Sequence, residues 1–137
     1  MTMLPQLKLD EDATTRLLVG FLRDEISKAG FSRAVLGLSG GVDSALSAVL
    51  AVEALGPENV LCVMMPYSSS SVESTEHARL LADILKVKLE LVVISDMVDS
   101  VIASDEKMDR MRRGNIMARQ RMIVLYDRSA RDSSLVI

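Results

Sequence analysis

The feature that most constrains the fold is a glycine-containing loop between two apolar segments. Ala34–Leu38 reads Ala-Val-Leu-Gly-Leu, a continuous apolar run typical of a strand buried on both faces of a parallel sheet. The loop Ser39-Gly-Gly-Val-Asp-Ser44 follows, and Val42–Leu55 is rich in Ala, Leu and Val, which predicts a helix pressed against the sheet. A strand that runs through such a loop into a helix is the first half of a βαβ unit and predicts an α/β fold.

Helices and apolar strands continue to alternate along the 137 residues. Besides the first strand and the helix after the loop, the predicted elements are helix Asp10–Ala29, strand Val60–Met64, helix Val72–Leu85, strand Leu89–Ile94, short helix Met97–Ala103, helix Ile116–Ala130 and an incipient strand in Ser133–Ile137. The charged stretch Ser104–Arg113 is predicted to be mobile. This alternation requires right-handed crossovers, so we predict a doubly wound parallel sheet with helices on both faces.

Two details of the helix Val72–Leu85 can be predicted from spacing. Ser70 and Glu73 have the S-x-x-E spacing of a capping box, which predicts the start of the helix. Four apolar side chains are expected to point toward the core, and these are Leu80, Leu81, Ile84 and Leu85.

The loop itself predicts a phosphate site. Ligands of open α/β sheets bind beyond the carboxyl ends of the strands, where this loop lies. Gly40 and Gly41 let the backbone approach a bulky ligand closely, and the free N–H groups of the next helix favour an anion. Ser39 and Ser44 can add hydroxyl donors. Asp43 would repel a phosphate unless a cation lay between them, which implies Mg²⁺. The loop is neither a Walker A sequence nor G-x-G-x-x-G.

Composition excludes several other classes of protein. The single cysteine, Cys62, excludes an internal disulfide, and its apolar surroundings predict a buried, inert thiol. A net charge of −3 gives no basic surface for nucleic acid. No run approaches the ~18 apolar residues of a membrane span, and Met1–Gln6 lacks the features of a secretory signal, so we expect a cytoplasmic protein. The only histidine, His77, lies between charged residues and is predicted to be a surface residue rather than a base.

Three segments together resemble one enzyme family. S-G-G-V-D-S after an apolar strand resembles the pyrophosphate loop of the N-type ATP pyrophosphatases, which have the adenine nucleotide alpha-hydrolase-like fold. Arg113–Met122, read as R-G-N-I-M-A-R-Q-R-M, is similar to a segment of the ammonia-dependent NAD+ synthetases within that group. Met65-Pro-Tyr-Ser68 resembles their L-P-Y segment. The similarity extends from about Asp10 to Ile137.

The resemblance implies a reaction and residues for it. In that family the nicotinate carboxylate of deamido-NAD+ attacks the α-phosphorus of ATP, and ammonia then displaces AMP from the acyl-adenylate to give NAD+. Asp43 would be a Mg²⁺ ligand, and Arg119 matches the arginine that contacts deamido-NAD+. Family members are homodimers, so a homodimer is implied. The residues that would hold the ATP phosphates and the departing pyrophosphate are Gly37, Leu38, Ser39, Gly40, Gly41, Val42, Asp43 and Ser44.

The family pattern continues beyond the last residue of this chain. Resembling enzymes run from a strand like Leu135–Ile137 into a G-T-x-N-K-x-E segment, which supplies an ATP-binding threonine and a second Mg²⁺ ligand. We therefore expect residues 1–137 to be the N-terminal part of one domain, truncated, with an exposed sheet edge and without residues needed for turnover. These 137 residues leave no room for a glutaminase domain, so we expect free ammonia as the nitrogen donor if the parent enzyme has no N-terminal extension.

Other interpretations stay open at this point. A GMP synthetase-like or tRNA-modifying ligase shares the loop, although the Arg113–Met122 segment argues against both. A catalytically inactive nucleotide-binding module would keep the loop for stability or dimerisation. A purely structural α/β domain would have no use for Asp43.

Overall fold

The structure, a computed structural model, describes residues 9–137, and the predicted order of helices and strands is confirmed. The elements are α1 Glu11–Lys28, β1 Ala34–Gly37, α2 Val42–Leu55, β2 Val60–Met64, α3 Val72–Leu85, β3 Lys88–Leu91, α4 Ser95–Ile102, α5 Arg110–Asp132 and β4 Leu135–Val136, with a 3-10 turn at Pro57–Asn59. The prediction about a secretory signal concerns residues 1–6, which lie outside the described range.

The strands form one parallel sheet in the order β3-β2-β1-β4. Ala34 of β1 is in register with Val60 of β2 and with Leu135 of β4, and Leu61 is in register with Lys88 of β3. All four carboxyl ends therefore meet at one edge of the sheet, the edge at which α/β proteins bind ligands.

The core consists of two apolar clusters, one on each face of the sheet. On one face, Leu36 and Cys62 pack with Ala48 and Ala51 of α2 and with α3. On the other face, Val35 and Val63 pack against α4 and α5. Successive strand residues point to opposite faces, so continuously apolar strands are buried on both sides. The predicted doubly wound sheet is thus confirmed.

The stretch predicted to be mobile is ordered at its end. α5 begins at Arg110 rather than at Ile116, because the Asp109 carboxylate accepts a hydrogen bond from the backbone N–H of Arg112 and caps the helix. The side chain of Arg112 also forms a 2.7 Å ion pair with Asp105. The predicted start of this helix was wrong, because the charged stretch contains its first turn, which local side-chain bonds stabilise.

Two predictions about α3 need correction. Leu80 and Ile84 are 59% and 66% exposed and line a groove between α2 and α3, so only Leu81 and Leu85 pack against the core. The N-cap is Ser71 rather than Ser70, because Ser71 Oγ accepts from the backbone N–H of Ser74 at 3.1 Å. Sequence spacing places both serines near the helix start and cannot choose between them.

Glu90 of β3 holds the carboxyl-terminal half of α5 against the sheet. Its Oε1 accepts from Nη2 of Arg131 at 2.8 Å, and its Oε2 accepts from Nε of Arg128 at 2.8 Å. The Nζ of Lys88 lies 3.2 Å from Oε1. These bonds, the one from Arg131 above all, lower the pKa of Glu90 to about 2 although partial burial acts in the opposite direction.

Replacing Glu90 by Gln is expected to lower the free energy of unfolding at pH 7 by about 1–2 kcal/mol, because a neutral amide loses the charge-assisted bonds. The folded pKa lies below the ordinary 4.5, so the carboxylate's contribution is complete above that pH and is lost as the pH falls toward 2. Urea unfolding at pH 7 and pH 3 measures both effects, and the difference between the two proteins should shrink at pH 3. Glu106→Gln, at an exposed position, is the control. An equal loss in that control would contradict the prediction.

Candidate functional site

The predicted phosphate loop leaves the sheet at the carboxyl end of β1. Strand pairing continues one residue past β1, since the N–H of Leu38 donates to Val63 O at 2.9 Å. Leu38 is buried in the core, and Ser39 is the first exposed residue after it. The loop therefore starts from a fixed point and has only Ser39, Gly40 and Gly41 before α2 begins at Val42.

The two loop serines close the loop on itself. Ser39 N donates to Ser44 Oγ at 3.2 Å, Gly41 N donates to Ser39 Oγ at 3.2 Å, and Ser44 Oγ donates to Gly41 O at 3.0 Å. A hydroxyl has one proton, so the 3.0 Å bond between the two Oγ atoms must use the proton of Ser39. Both hydroxyl protons are engaged within the loop. The serines thus shape the loop, and the donors left for a ligand are backbone N–H groups.

The N-terminus of α2 carries free donors. Its N-cap is Gly41, which has no side chain to accept from the helix, whereas Asp10, Ser71 and Asp109 cap α1, α3 and α5. The first backbone bond of α2 runs from Ala45 N to Gly41 O. The N–H groups of the first turn accordingly have no partner within the helix, and the helix dipole adds partial positive charge. This is the arrangement that binds phosphate groups.

Gly40 is required by a close contact between the loop and α3. Its φ is +84°, and a Cβ at this position would lie 2.2 Å from the carbonyl oxygen of Ser74. No side chain fits there without displacing the first turn of α3. The loop and α3 are therefore packed backbone to backbone at Gly40, and the predicted close approach of a ligand to the glycines stays a prediction.

A cavity of about 440 Å³ opens beside the loop. Small-molecule sites have volumes of roughly 300–1,000 Å³, so the cavity is large enough for such a ligand. Its walls come from the ends of β1 and β2, from the first turn of α3 and from α5. The lining residues are Gly37, Leu38, Ser39, Met64, Met65, Pro66, Ser70, Ser74, Thr75, Arg121 and Leu125.

Three successive carbonyl groups at the end of β2 are held by neighbouring elements. Met64 O accepts from Val92 N at 2.8 Å, Met65 O accepts from Arg121 Nε at 3.1 Å, and Pro66 O accepts from Ile94 N at 3.0 Å. This segment of the cavity wall is therefore fixed by the segment that follows β3 and by α5.

Arg121 lines the cavity, although its position in the sequence did not single it out. It is partly buried, its Nε is fixed by Met65 O, and it lines the cavity with Leu125, one helical turn further on. A signal was present in the sequence, because Met117, Arg121 and Leu125 recur at a spacing of four on one face of the helix. An arginine between apolar residues on the inward face of a helix is expected to bind either a fixed protein partner or a ligand.

Arg119 is not brought to this cavity. It precedes Arg121 by two residues, which is a rotation of about 200° around the helix, and its side chain is exposed. Three exposed apolar residues, Met122, Ile123 and Tyr126, lie on the same face of α5 at helical spacing. Arg119 and Arg121 therefore lie on different faces of α5.

Asp43 is the one carboxylate that the loop offers to a cation. It is exposed in the first turn of α2, and within residues 9–137 its carboxylate has no ion pair or hydrogen bond. The described residues contain no group of three or more His, Cys, Asp or Glu side chains that could hold a metal. One free carboxylate beside a phosphate-type helix terminus fits Mg²⁺, which is commonly bound by one or two carboxylates together with substrate phosphates and water.

The remaining candidate nucleophile and base lie outside the cavity. Cys62 is fully buried in the sheet, which confirms its predicted burial, and burial raises the pKa of its thiol to about 11. His77 is exposed on α3, with Nε2 4.0 Å from Oε1 of Glu73, as expected for a surface residue. The chemistry available at the cavity is thus binding of anions by backbone donors and Arg121.

The chain resembles several known proteins. The family model for NAD synthase matches residues 14–137. An NH3-dependent NAD+ synthetase of Chlorobaculum tepidum is 52% identical over 136 residues, which are 98% of this chain and 49% of that protein. The solved NH3-dependent NAD synthetase of Campylobacter jejuni, in complex with nitrate, matches with a TM-score of 0.88 and 36% identity over 94% of this chain and 56% of its own. The solved glutamine-dependent NAD+ synthetase of Acinetobacter baumannii, in complex with ADP, matches with a TM-score of 0.83 and 35% identity. The match covers 87% of this chain and 24% of that one.

A parallel α/β sheet with an uncapped glycine loop beside a cavity defines the class, that of α/β proteins with a phosphate-type loop. The chain belongs to the NAD synthase family. It spans about half the length of the curated relatives it matches. Among its described helices, none has the length and apolar character needed to cross a membrane.

Proposed function

We propose that this chain forms the ATP-binding half of an enzyme that amidates deamido-NAD+ with ammonia and releases NAD+, AMP and pyrophosphate. The observation that carries the proposal is the uncapped N-terminus of α2 beside a cavity of about 440 Å³. The relatives named NH3-dependent NAD+ synthetases support ammonia as the nitrogen donor, and the ADP complex of the Acinetobacter relative supports an adenine nucleotide. Because ATP and deamido-NAD+ are metabolites of the cytoplasm, we place the reaction there.

The loop would bind the β- and γ-phosphates. The backbone N–H groups of Val42, Asp43 and Ser44 are oriented for an anion, and their interaction strengthens as negative charge moves onto the departing pyrophosphate. Mg²⁺ held by Asp43 and phosphate oxygens would neutralise part of that charge. The α-phosphorus is attacked by the carboxylate of deamido-NAD+, so no nucleophilic side chain of this chain is needed.

Arg121 would supply a fixed cation on the cavity wall. Its Nε already donates to Met65 O, so its terminal Nη groups are the ones that remain for a ligand. A guanidinium group held in this way loses little entropy on binding a phosphate. We propose Arg121 as a second contact for the ATP phosphates.

The exposed face of α5 is our proposed location for deamido-NAD+ and for a second subunit. Met122, Ile123 and Tyr126 are 48%, 56% and 60% exposed around Arg119, and a cation within an apolar face suits a dinucleotide, which has both phosphates and flat rings. In a homodimer this apolar surface would be covered. The resemblance to homodimeric enzymes supports the same assignment.

Replacing Arg119 by Ala is expected to weaken deamido-NAD+ binding by roughly tenfold or more, because a charge-assisted hydrogen bond to phosphate is lost. ATP binding should be nearly unchanged, since Arg119 points away from the cavity. Calorimetry with each ligand separately measures both effects. Arg16→Ala, on the exposed surface of α1, serves as the control. Unchanged affinity for deamido-NAD+ would refute the assignment, whereas equal loss of both ligands would indicate misfolding.

The test of the proposed function is turnover. The chain would be incubated with ATP, Mg²⁺, deamido-NAD+ and ammonium, and AMP and NAD+ followed by chromatography. Because the chain spans about half of its relatives, a second arm fuses it to the carboxyl-terminal half of the Chlorobaculum tepidum protein. Formation of AMP and NAD+ in equal amounts by the fusion supports the proposal. A folded fusion that binds ATP and makes neither product would favour a nucleotide-binding module without this activity.

A further inference from the structure

A hydrogen bond at the edge of the cavity ties the segment after β2 to α4. Tyr67 Oη donates to Oδ1 of Asp99 at 2.6 Å, between residues 32 positions apart. This bond raises the pKa of the Tyr67 hydroxyl, although Ser68 and, more weakly, Arg113 act in the opposite direction. The bond therefore links the segment after β2 to α4 in addition to their apolar contact.

α4 is the fixed partner in this contact. Val98 of α4 and the N-cap residue Ile94 are fully buried, and Tyr67 packs against the same apolar cluster. The N–H of Ile94 also donates to Pro66 O at 3.0 Å, directly before Tyr67. Asp99 thus projects from a helix anchored in the core, and the more exposed segment after Pro66 is the part that is positioned.

The positioned segment leads to α3 through a tight turn. Tyr67 N donates to Ser70 Oγ at 3.0 Å, and Ser70 N donates to Tyr67 O at 2.8 Å. Ser70 lines the cavity, and the next residue, Ser71, caps α3 by accepting from Ser74 N at 3.1 Å. Tyr67 is therefore linked to the first turn of α3 through its hydrogen bonds to Ser70 and through the cap formed by the next residue, Ser71.

The first turn of α3 in turn packs against the phosphate-type loop. Ser74 and Thr75 line the cavity, and the backbone of Ser74 lies so close to Gly40 that no side chain fits between them. A shift of the turn 67–70 would consequently move both a wall of the cavity and the surface against which Gly40 packs.

We infer that Tyr67 and Asp99 are positioning residues for nucleotide binding, because their hydrogen bond sets the turn 67–70 and the first turn of α3 in the place where they complete the cavity. They act through Ser70 and Ser74 rather than by touching the nucleotide. The inference rests on the proposed function, since it takes the cavity beside the loop to be the ATP site.

The test is a set of variants assayed for Mg²⁺·ATP binding by calorimetry. Tyr67→Phe and Asp99→Ala should each weaken binding by roughly three- to tenfold, the range expected for loss of one ordinary hydrogen bond at an exposed position. Asp99→Asn should restore nearly normal binding, since its amide oxygen still accepts from Tyr67. The double variant Tyr67→Phe/Asp99→Ala should bind no more weakly than either single variant. Asp96→Ala, one turn earlier on α4, is the control.

Hydrogen exchange without ATP provides a second measurement. Amides of residues 70–74 should exchange faster in Tyr67→Phe and Asp99→Ala than in the wild type and in Asp99→Asn. Unchanged exchange and unchanged ATP affinity in both single variants would overturn the inference and leave ATP binding intact. Additive losses in the double variant would also overturn it, because the residues would then act separately. A wild-type chain that binds no ATP would instead overturn the proposed function, and the inference with it.

Discussion

Replacing Asp43 by Asn is expected to abolish the Mg²⁺ dependence of ATP binding and to weaken binding in Mg²⁺ by at least about tenfold. The amide has the shape of the carboxylate but is a poor ligand for a hard cation. Asp43 is exposed and has no ion pair within the described residues, so the substitution leaves no buried partner unsatisfied. Calorimetry with ATP in Mg²⁺ and in EDTA measures the effect. The wild-type affinity should differ between the two buffers, and the affinity of the variant should not.

Asp96→Asn is the matched control for Asp43→Asn. Asp96 is also an acidic residue in the first turn of a helix without a side-chain cap, α4, but it lies outside the cavity. Both substitutions remove a favourable interaction with the helix dipole of about 0.3–1 kcal/mol, so their effects on stability should be similar. Only Asp43→Asn should alter nucleotide binding. Retention of Mg²⁺ dependence in Asp43→Asn would show that other groups hold the metal.

The sequence predicts the order of helices and strands because the central strands are continuously apolar, a pattern that is easily recognised. Ala34–Gly37 and Val60–Met64 are continuously apolar and almost completely buried, as expected for central strands of a parallel sheet. The edge strands have a weaker signal. β3 is Lys88–Leu91 rather than Leu89–Ile94, since Val92 and Ile94 bond to the segment at the end of β2 without extending the regular strand.

The errors arise where local side-chain bonds decide the structure. The start of α5 depends on the Asp109 cap and on the Asp105–Arg112 ion pair within a stretch whose charge suggested mobility. The exposure of Leu80 and Ile84 depends on how α3 is rotated against α2. Hydrophobic spacing gives a stripe about 100° wide but does not fix its angle to a neighbouring helix.

The site could be predicted only in the part that is contiguous in sequence. The loop from Gly37 to Ser44 follows a strand directly, so its position at the carboxyl edge follows from the fold class. Ser74, Thr75 and Arg121 reach the same cavity from α3 and α5, and their approach is a matter of tertiary packing. The motif containing Arg119 and Arg121 indicates a functional segment. It does not show which of the two arginines faces the cavity, because residues two apart lie on opposite faces of a helix.

The glycine at position 40 provides the strongest test of the loop geometry. Gly40→Ala is expected to lower the free energy of unfolding by about 2–5 kcal/mol, because a left-handed conformation costs a residue with a Cβ about 1–2 kcal/mol and overpacking adds to it. The added Cβ would lie 2.2 Å from Ser74 O, in helix backbone that cannot rotate away as a side chain can. ATP binding should be lost even under conditions where the variant is folded, since the loop and α3 must separate. Urea unfolding and calorimetry measure the two effects.

Gly30→Ala separates the cost of the left-handed backbone conformation from the cost of the contact with Ser74. Gly30 has the same φ of +84°, but a Cβ there would meet no atom within 4 Å, so only the backbone conformation is penalised. We expect Gly30→Ala to lower the free energy of unfolding by about 1–2 kcal/mol and to bind ATP normally, because it follows α1, away from the cavity. The excess loss in Gly40→Ala then measures the contact with Ser74. Equal losses in the two variants would show that α3 yields freely at this contact, and the positioning of the loop by α3 would have to be abandoned.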